Sequence, residues 1–139
     1  MADEERGRRG TNELVLPAGE YAYTRDATSG VTFVRPGPTV VNAQAQDEPV
    51  LFDVGTGRFR TVALLEAAQV NTVVPTGHYA VLNNPTPDAK YPEPGNKATA
   101  KELLIGQRVH LPGPVSFALW PRQSAKVIEG QFARAASSS

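Results

Sequence analysis

Short runs with a strand-like period of two, separated by clusters of turn residues, make up most of this chain. The first run opens at E-L-V-L (residues 13–16). After P-A-G it continues through Tyr21 and Tyr23 alternating with Ala22 and Thr24. D-A-T-S-G (26–30) reads as a turn and V-T-F-V-R (31–35) as the return strand of a hairpin, β-branched and aromatic in composition. Pro36 and Pro38 flank Gly37 and lack backbone donors, so a bend at an edge or corner is predicted there. T-V-V-N (39–42) follows as a strand, residues 44–49 as a polar link, V-L-F-D (50–53) as a strand and Gly55-Thr56-Gly57 as a hairpin turn. Residues 61–68 carry helix formers but lie between turns and run on towards N-T-V-V (71–74), so the pattern favours strand. Residues 83–101 hold Pro85, Pro87, Pro92, Pro94 and Gly95 with little apolar periodicity, which predicts an exposed loop, with a single helical turn over 98–104. The strands L-L-I-G-Q-R-V-H (103–110), V-S-F-A-L-W-P (115–121) and A-K-V-I-E (125–129) complete the pattern.

These runs repeat. Pro17, Gly19, Tyr21 and Ala22 return as Pro75, Gly77, Tyr79 and Ala80, all at one constant offset. V-R-P-G-P-T-V-V (34–41) returns as H-L-P-G-P-V-S-F (110–117) at a second, larger offset, which places Gly37 and Pro38 against Gly113 and Pro114. The difference between the two offsets is an insertion in the second copy, and the Pro-rich loop accounts for it. Two units of about 60 residues lie near the lower limit of independent stability, so each is expected to lean on the other. The fold class that follows is all-β: two tandem small antiparallel β-modules, with a long Pro-rich loop in the second. The expected divisions are 1–12, a disordered charged arm; 13–70, the first module; 71–132, the second; and 133–139, a disordered small-residue tail.

Charge and composition narrow the function without naming it. Fourteen basic residues balance fourteen acidic ones, so no overall field recruits nucleic acid or an anionic membrane. R-G-R-R in the arm sits among acids and reads as a solvated tail. The absence of cysteine excludes a disulfide framework, a thiolate metal site and a nucleophilic thiol. No apolar run reaches a membrane span's length and no leader pattern opens the chain, so a cytoplasmic location is expected.

Nothing in the pattern assembles a catalytic centre. His78 and His110 have no second ligand at helical spacing, so a metal is not expected, and no cofactor is implied. Ser116 and Ser124 lack the glycine context of a nucleophile elbow, and Gly55-Thr56-Gly57 is not followed by the residues of a phosphate loop. Asp47 and Glu48 are adjacent, which on a strand places them on opposite faces, and Asp53, Glu66, Glu93 and Glu102 belong to other elements. Tyr21 and Tyr79 share one repeat position, which predicts a ring in each small core and a hydroxyl reaching a turn amide.

The run P-T-G-H-Y-A-V-L-N-N-P, carrying Pro75, Gly77, His78, Tyr79, Asn84 and Pro85, resembles the repeat of the major vault protein family. In that repeat a proline precedes a His-Tyr pair and an Asn-Pro follows. Gly37-Pro38, Gly113-Pro114 and V-L-F (50–52) are similar to the segments between successive vault repeats. The first copy departs from the pattern, with Glu20 for the His and Asp26-Ala27 for Asn-Pro. The resemblance implies a non-catalytic structural repeat protein that self-associates into the wall of a vault-like shell, ring or cage, as in a ribonucleoprotein particle. Its partners would be further copies or the neighbouring repeats of a longer chain, with protein cargo inside. The alternative is a monomeric β-type binding module whose small ligand or protein partner sits against the Pro-rich loop or the aromatic strands.

Overall fold

In the computed structural model residues 13–42, 47–99 and 102–130 are described. The arm at 1–12, the first half of the 44–49 link and the tail at 133–139 lie outside these. The chain is all-β with several small antiparallel sheets. Its strands are β1 (Glu13–Leu16), β2 (Glu20–Asp26), β3 (Thr32–Pro36), β4 (Thr39–Asn42), β5 (Asp47–Asp53), β6 (Arg58–Thr61), β7 (Gln69–Val70), β8 (Thr72–Val74), β9 (His78–Asn83), β10 (Ala98–Thr99), β11 (Arg108–Pro112), β12 (Val115–Phe117) and β13 (Ser124–Glu129).

Pairing registers carry the sequence repeat into three dimensions. β1 pairs β4 with Leu16 opposite Thr39, and β8 pairs β12 with Val74 opposite Val115. β2 pairs β3 with Tyr21 opposite Pro36, and β9 pairs β11 with Tyr79 opposite Pro112. On the other side of the central strand, β2 meets β5 with Tyr23 opposite Val50, and β9 meets β13 with Val81 opposite Lys126. In every pair one strand moves by the offset that takes Pro17 to Pro75, and its partner by the offset that takes Gly37 to Gly113.

The two halves differ in what is inserted. In the first, the chain continues beyond Val50 into a hairpin with β6, passes through a 3-10 turn at Leu64–Ala67, and returns to β2 as the short β7. In the second, β13 runs uninterrupted along all of β9. The inserted segment covers one face of β2: Val62, Leu64 and Ala67 pack on Leu14, Leu16, Ala22 and Val41. Val74, Ala80, Leu82 and Phe117 form the equivalent cluster of the second half, closed by Tyr91 from the segment between β9 and β11.

Several predicted elements are corrected. Residues 61–68 are a strand only to Thr61 and then a 3-10 turn, because Leu64 and Ala67 turn inward together as a plug. The polar link ends sooner than expected, since Asp47 and Glu48 already pair with β2 and form ion pairs to Arg35 and Arg25. No helical turn forms at 98–99, which are β10, paired with β3. The strands expected at 103–110 and 115–121 shorten to β11 and β12. Over its described residues, 83–99, the Pro-rich segment is exposed at 87–90 and 93–97 as expected, but it also packs inward: Pro85, Thr86 and Pro92 are buried, and the Tyr91 ring stacks on Phe117 with centroids 4.5 Å apart.

Candidate functional site

Among the described residues two structural features stand out: a backbone clasp built twice, and the contact that seals one half against the other. The clasp is made by the residues the sequence singles out. Pro17 is exposed and its carbonyl accepts from the Glu20 amide at 3.1 Å; Pro75 is exposed and accepts from His78 at the same 3.1 Å. Within these turns Gly19 and Gly77 adopt φ of +94° and +83°, a left-handed conformation that glycine takes without steric cost. The Gly37 amide then donates to the Glu20 carbonyl at 2.7 Å, and the Gly113 amide to the His78 carbonyl at 2.9 Å. A Cβ on Gly37 would collide with the carbonyl oxygen of Pro17, and one on Gly113 with that of Pro75, so only glycine fits where the strands cross this closely. Pro38 and Pro114 follow on the exposed side, each after a cis peptide bond.

Asn84 explains the Asn-Pro of the second copy. Its φ is +62°, a region that asparagine tolerates better than most residues. Its side-chain amide donates to the Arg122 carbonyl at 2.8 Å and its Oδ1 accepts from the Gly106 amide at 2.9 Å. Its backbone amide donates to the Gln107 carbonyl, and its backbone carbonyl accepts from Gln123 Nε2. One residue thus ties the end of β9 to the approaches of both neighbouring strands. Pro85 beside it is buried.

The contact between the halves falls on the other face of β2. Tyr21, Tyr23, Val34 and Val50 are covered by Ala118 and Trp120, which the second half supplies between β12 and β13. Trp120 is 2% exposed, and its indole Nε1 donates to the Lys90 carbonyl at 3.0 Å. Tyr23 Oη donates to the Leu119 carbonyl at 2.8 Å, across the boundary. Burial pushes the Tyr23 phenol well above its usual range and raises that of Tyr21, whose ring centroid lies 5.6 Å away. The segment after Asn84 crosses the same boundary, with β10 on β3 and the Gly95 amide donating to the Pro36 carbonyl.

The shared repeat position of the tyrosines does not give a shared environment. Tyr21 is buried but Tyr79 is half-buried, because the β9 face that bears Tyr79 is not covered as the β2 face is. The core positions of β9 are Ala80 and Leu82. The hydroxyl that spans a boundary is that of Tyr23, on the same face two positions along. Trp120 was legible in the sequence only as one aromatic residue among several, with no partner to mark it.

The two histidines that the sequence offers are not brought together. His78 and His110 lie on opposite faces of the β9–β11 ladder, since His110 pairs with Val81, not with an even-numbered neighbour of His78. No group of three or more metal-ligating side chains gathers among the described residues. Arg25 pairs with Glu48 at 3.1 Å and Arg35 with Asp47 at 3.6 Å, and burial lowers the Arg35 pKa against the opposing pull of Asp47. Gly55-Thr56-Gly57 is the β5–β6 turn, closed by Gly57 N to Asp53 O at 2.8 Å. An apolar cleft of about 340 Å³ lies under the segment after Asn84, among Leu82, Pro85, Tyr91, Leu104, Val109 and Leu111. Two of its polar neighbours are engaged: Thr86 Oγ1 accepts from the Lys90 amide, and Gln123 bonds Trp120 N and Asn84 O; the Gln107 and Lys90 side chains also line it.

No family model matches the sequence, and neither the curated proteins nor the solved structures give a match.

Proposed function

We propose that this chain is a non-catalytic structural repeat protein that self-associates to form the wall of a vault-like shell, ring or cage. The observation that carries the reading is the clasp built twice from Pro17, Gly19 and Gly37 and from Pro75, Gly77 and Gly113, in two strand sets that bury a shared apolar contact. Units of this size gain stability by covering each other, as the two halves do here, and repeated units of one design are a way to build an extended surface. Its partners are further copies or neighbouring repeats of a longer chain, and enclosed protein is the cargo such a wall would hold. A cytoplasmic location goes with this reading. Sedimentation over a wide concentration range, with negative-stain microscopy of the same sample, tests it. Concentration-dependent growth into closed or ring-like particles is expected, and a monomer at every concentration overturns it.

One observation favours a second reading, a monomeric binding module. The cleft among Leu82, Leu104, Val109 and Leu111 is large enough for a small molecule and is lined mainly by apolar side chains. An apolar dye such as anilinonaphthalene sulfonate would then bind the native monomer and lose that binding in Leu111→Trp. A native chain that leaves the dye dark overturns this second reading.

A further inference from the structure

The contact that joins the two halves is not available at either end for a further copy. In the alignment that sets Gly113 on Gly37, the Ala118-Leu119-Trp120 segment falls on N-A-Q at 42–44, which has no aromatic ring to insert. In the other direction, the receiving face exchanges Val34 for His110 and Val50 for Lys126. Stacking by repetition of the internal contact therefore stops at two, as in terminal repeats whose outer face is polar.

The lateral edges differ. Hydrogen bonds in an antiparallel ladder alternate sides along each strand. The Gly130 amide bonds the Gly77 carbonyl, while the Asn84 amide bonds Gln107 and the Gly113 amide bonds the His78 carbonyl. Odd-numbered residues of β9 thus serve β13, and even-numbered ones serve β11. It follows that Ala125, Val127 and Glu129 of β13 point their amides and carbonyls away from β9. The counterparts of Ala125 and Val127 in the first half are Pro49 and Leu51, and there this outward edge is filled. Val62 N bonds the Pro49 carbonyl at 3.0 Å, and Leu51 pairs with Arg60 of β6. Among the described residues no strand fills it on β13, and Val127 is 37% exposed.

We infer that the outer edge of β13 pairs with β13 of a second copy, antiparallel about a two-fold axis, the second copy taking the place that β6 takes in the first half. Residues opposed across such an axis share a face, so the pairing centres on one residue facing itself. Centring on Lys126 would set two ammonium groups opposite each other. Centring on Val127 sets valine on valine, Lys126 on Ile128 and Ala125 on Glu129, and opposes the outward-pointing groups. This interface rests on the self-association proposed above and names one edge and its register; being two-fold it closes on a pair, so a wall or ring needs a second, different contact between pairs.

Two sets of variants test it on the full chain. Ala125→Pro removes one outward donor and copies Pro49, the residue the fold already holds at that repeat position. It should leave the circular dichroism spectrum and melting intact and weaken association about tenfold or more, because the two-fold removes the donor twice. Because the chain has no cysteine, single-cysteine variants report register directly. Val127→Cys should give a covalent dimer under mild oxidation, since facing residues of a hydrogen-bonded pair lie about 5.5 Å apart between Cα atoms. Lys126→Cys should not. Dimer from Lys126→Cys alone would overturn the register, and association untouched in a folded Ala125→Pro with no Val127→Cys dimer would overturn the edge. A monomeric unsubstituted chain would instead overturn the assembly reading on which both stand.

Discussion

Replacing Trp120 by alanine tests whether the two halves stabilise each other through one contact. The ring is 2% exposed and lies against Tyr21, Tyr23, Val34 and Val50 of the first half. A buried aromatic of this kind removes about 200 Å² from water, worth about 5 kcal/mol at roughly 25 cal/mol per Å², of which alanine retains a small part. The cavity left behind adds to the loss, whereas the Lys90 carbonyl freed from the indole can be rehydrated because Lys90 is exposed. A cost of about 4 kcal/mol is expected, within the range for large aromatic truncations. That is a large share of the roughly 5–15 kcal/mol that holds a domain folded. Urea denaturation followed by far-ultraviolet circular dichroism should show the midpoint falling by about 2 M for a slope of about 2 kcal/mol/M. Trp120→Phe keeps most of the ring and loses the indole hydrogen bond, so it should fall between the two. A loss below about 1 kcal/mol for Trp120→Ala would refute the reasoning, because the halves would then be held by something other than this contact.

Gly37→Ala and Gly113→Ala should each destabilise by about 2 kcal/mol or more, since the new methyl meets a backbone carbonyl that cannot move away, and thermal melts measure it. Gly19→Ala, at positive φ but with open space around it, should cost only about 1 kcal/mol, and equal costs at the two kinds of glycine would argue against the close crossing. Tyr21→Ala should cost about 3 kcal/mol or more and Tyr79→Ala clearly less, a difference that chemical denaturation of the pair would reveal. At alkaline pH the Tyr23 phenol stays protonated in the folded chain while the unfolded chain ionises at about pH 10. Its contribution is therefore whole below about pH 10 and is lost as pH rises through the folded value. Tyr23→Phe should cost about 1 kcal/mol at neutral pH, through the bond to Leu119, and should flatten the alkaline decline in urea midpoints.

The strand registers supply the reason why Pro17, Gly19 and Gly37 recur as Pro75, Gly77 and Gly113. A clasp whose crossing leaves no room for Cβ constrains sequence at those positions more tightly than the core does. Ala22 and Ala80 match, but Thr24 faces Leu82 and Val41 faces Phe117 in the same alignment. Core positions can trade volume with their neighbours, whereas a backbone crossing cannot.

The all-β class and the two paired offsets were legible in the sequence because strand alternation, turn glycines and prolines are local signals. The Gly55-Thr56-Gly57 hairpin was legible for the same reason. What covers each face was not, since a strand's period says which residues share a face and nothing about what lies above it. Tyr21 and Tyr79 read alike in sequence, yet only Tyr21 is covered, by Ala118 and Trp120 from far along the chain. The 3-10 plug at Leu64–Ala67 and the inward packing of Pro85, Tyr91 and Pro92 within the otherwise exposed Pro-rich segment were not legible, because long-range burial overrode local propensity there. The edge of β13 belongs with these: its residues are those of an ordinary strand, and only comparison with the first half, where β6 fills the matching place, shows that no strand among the described residues fills it.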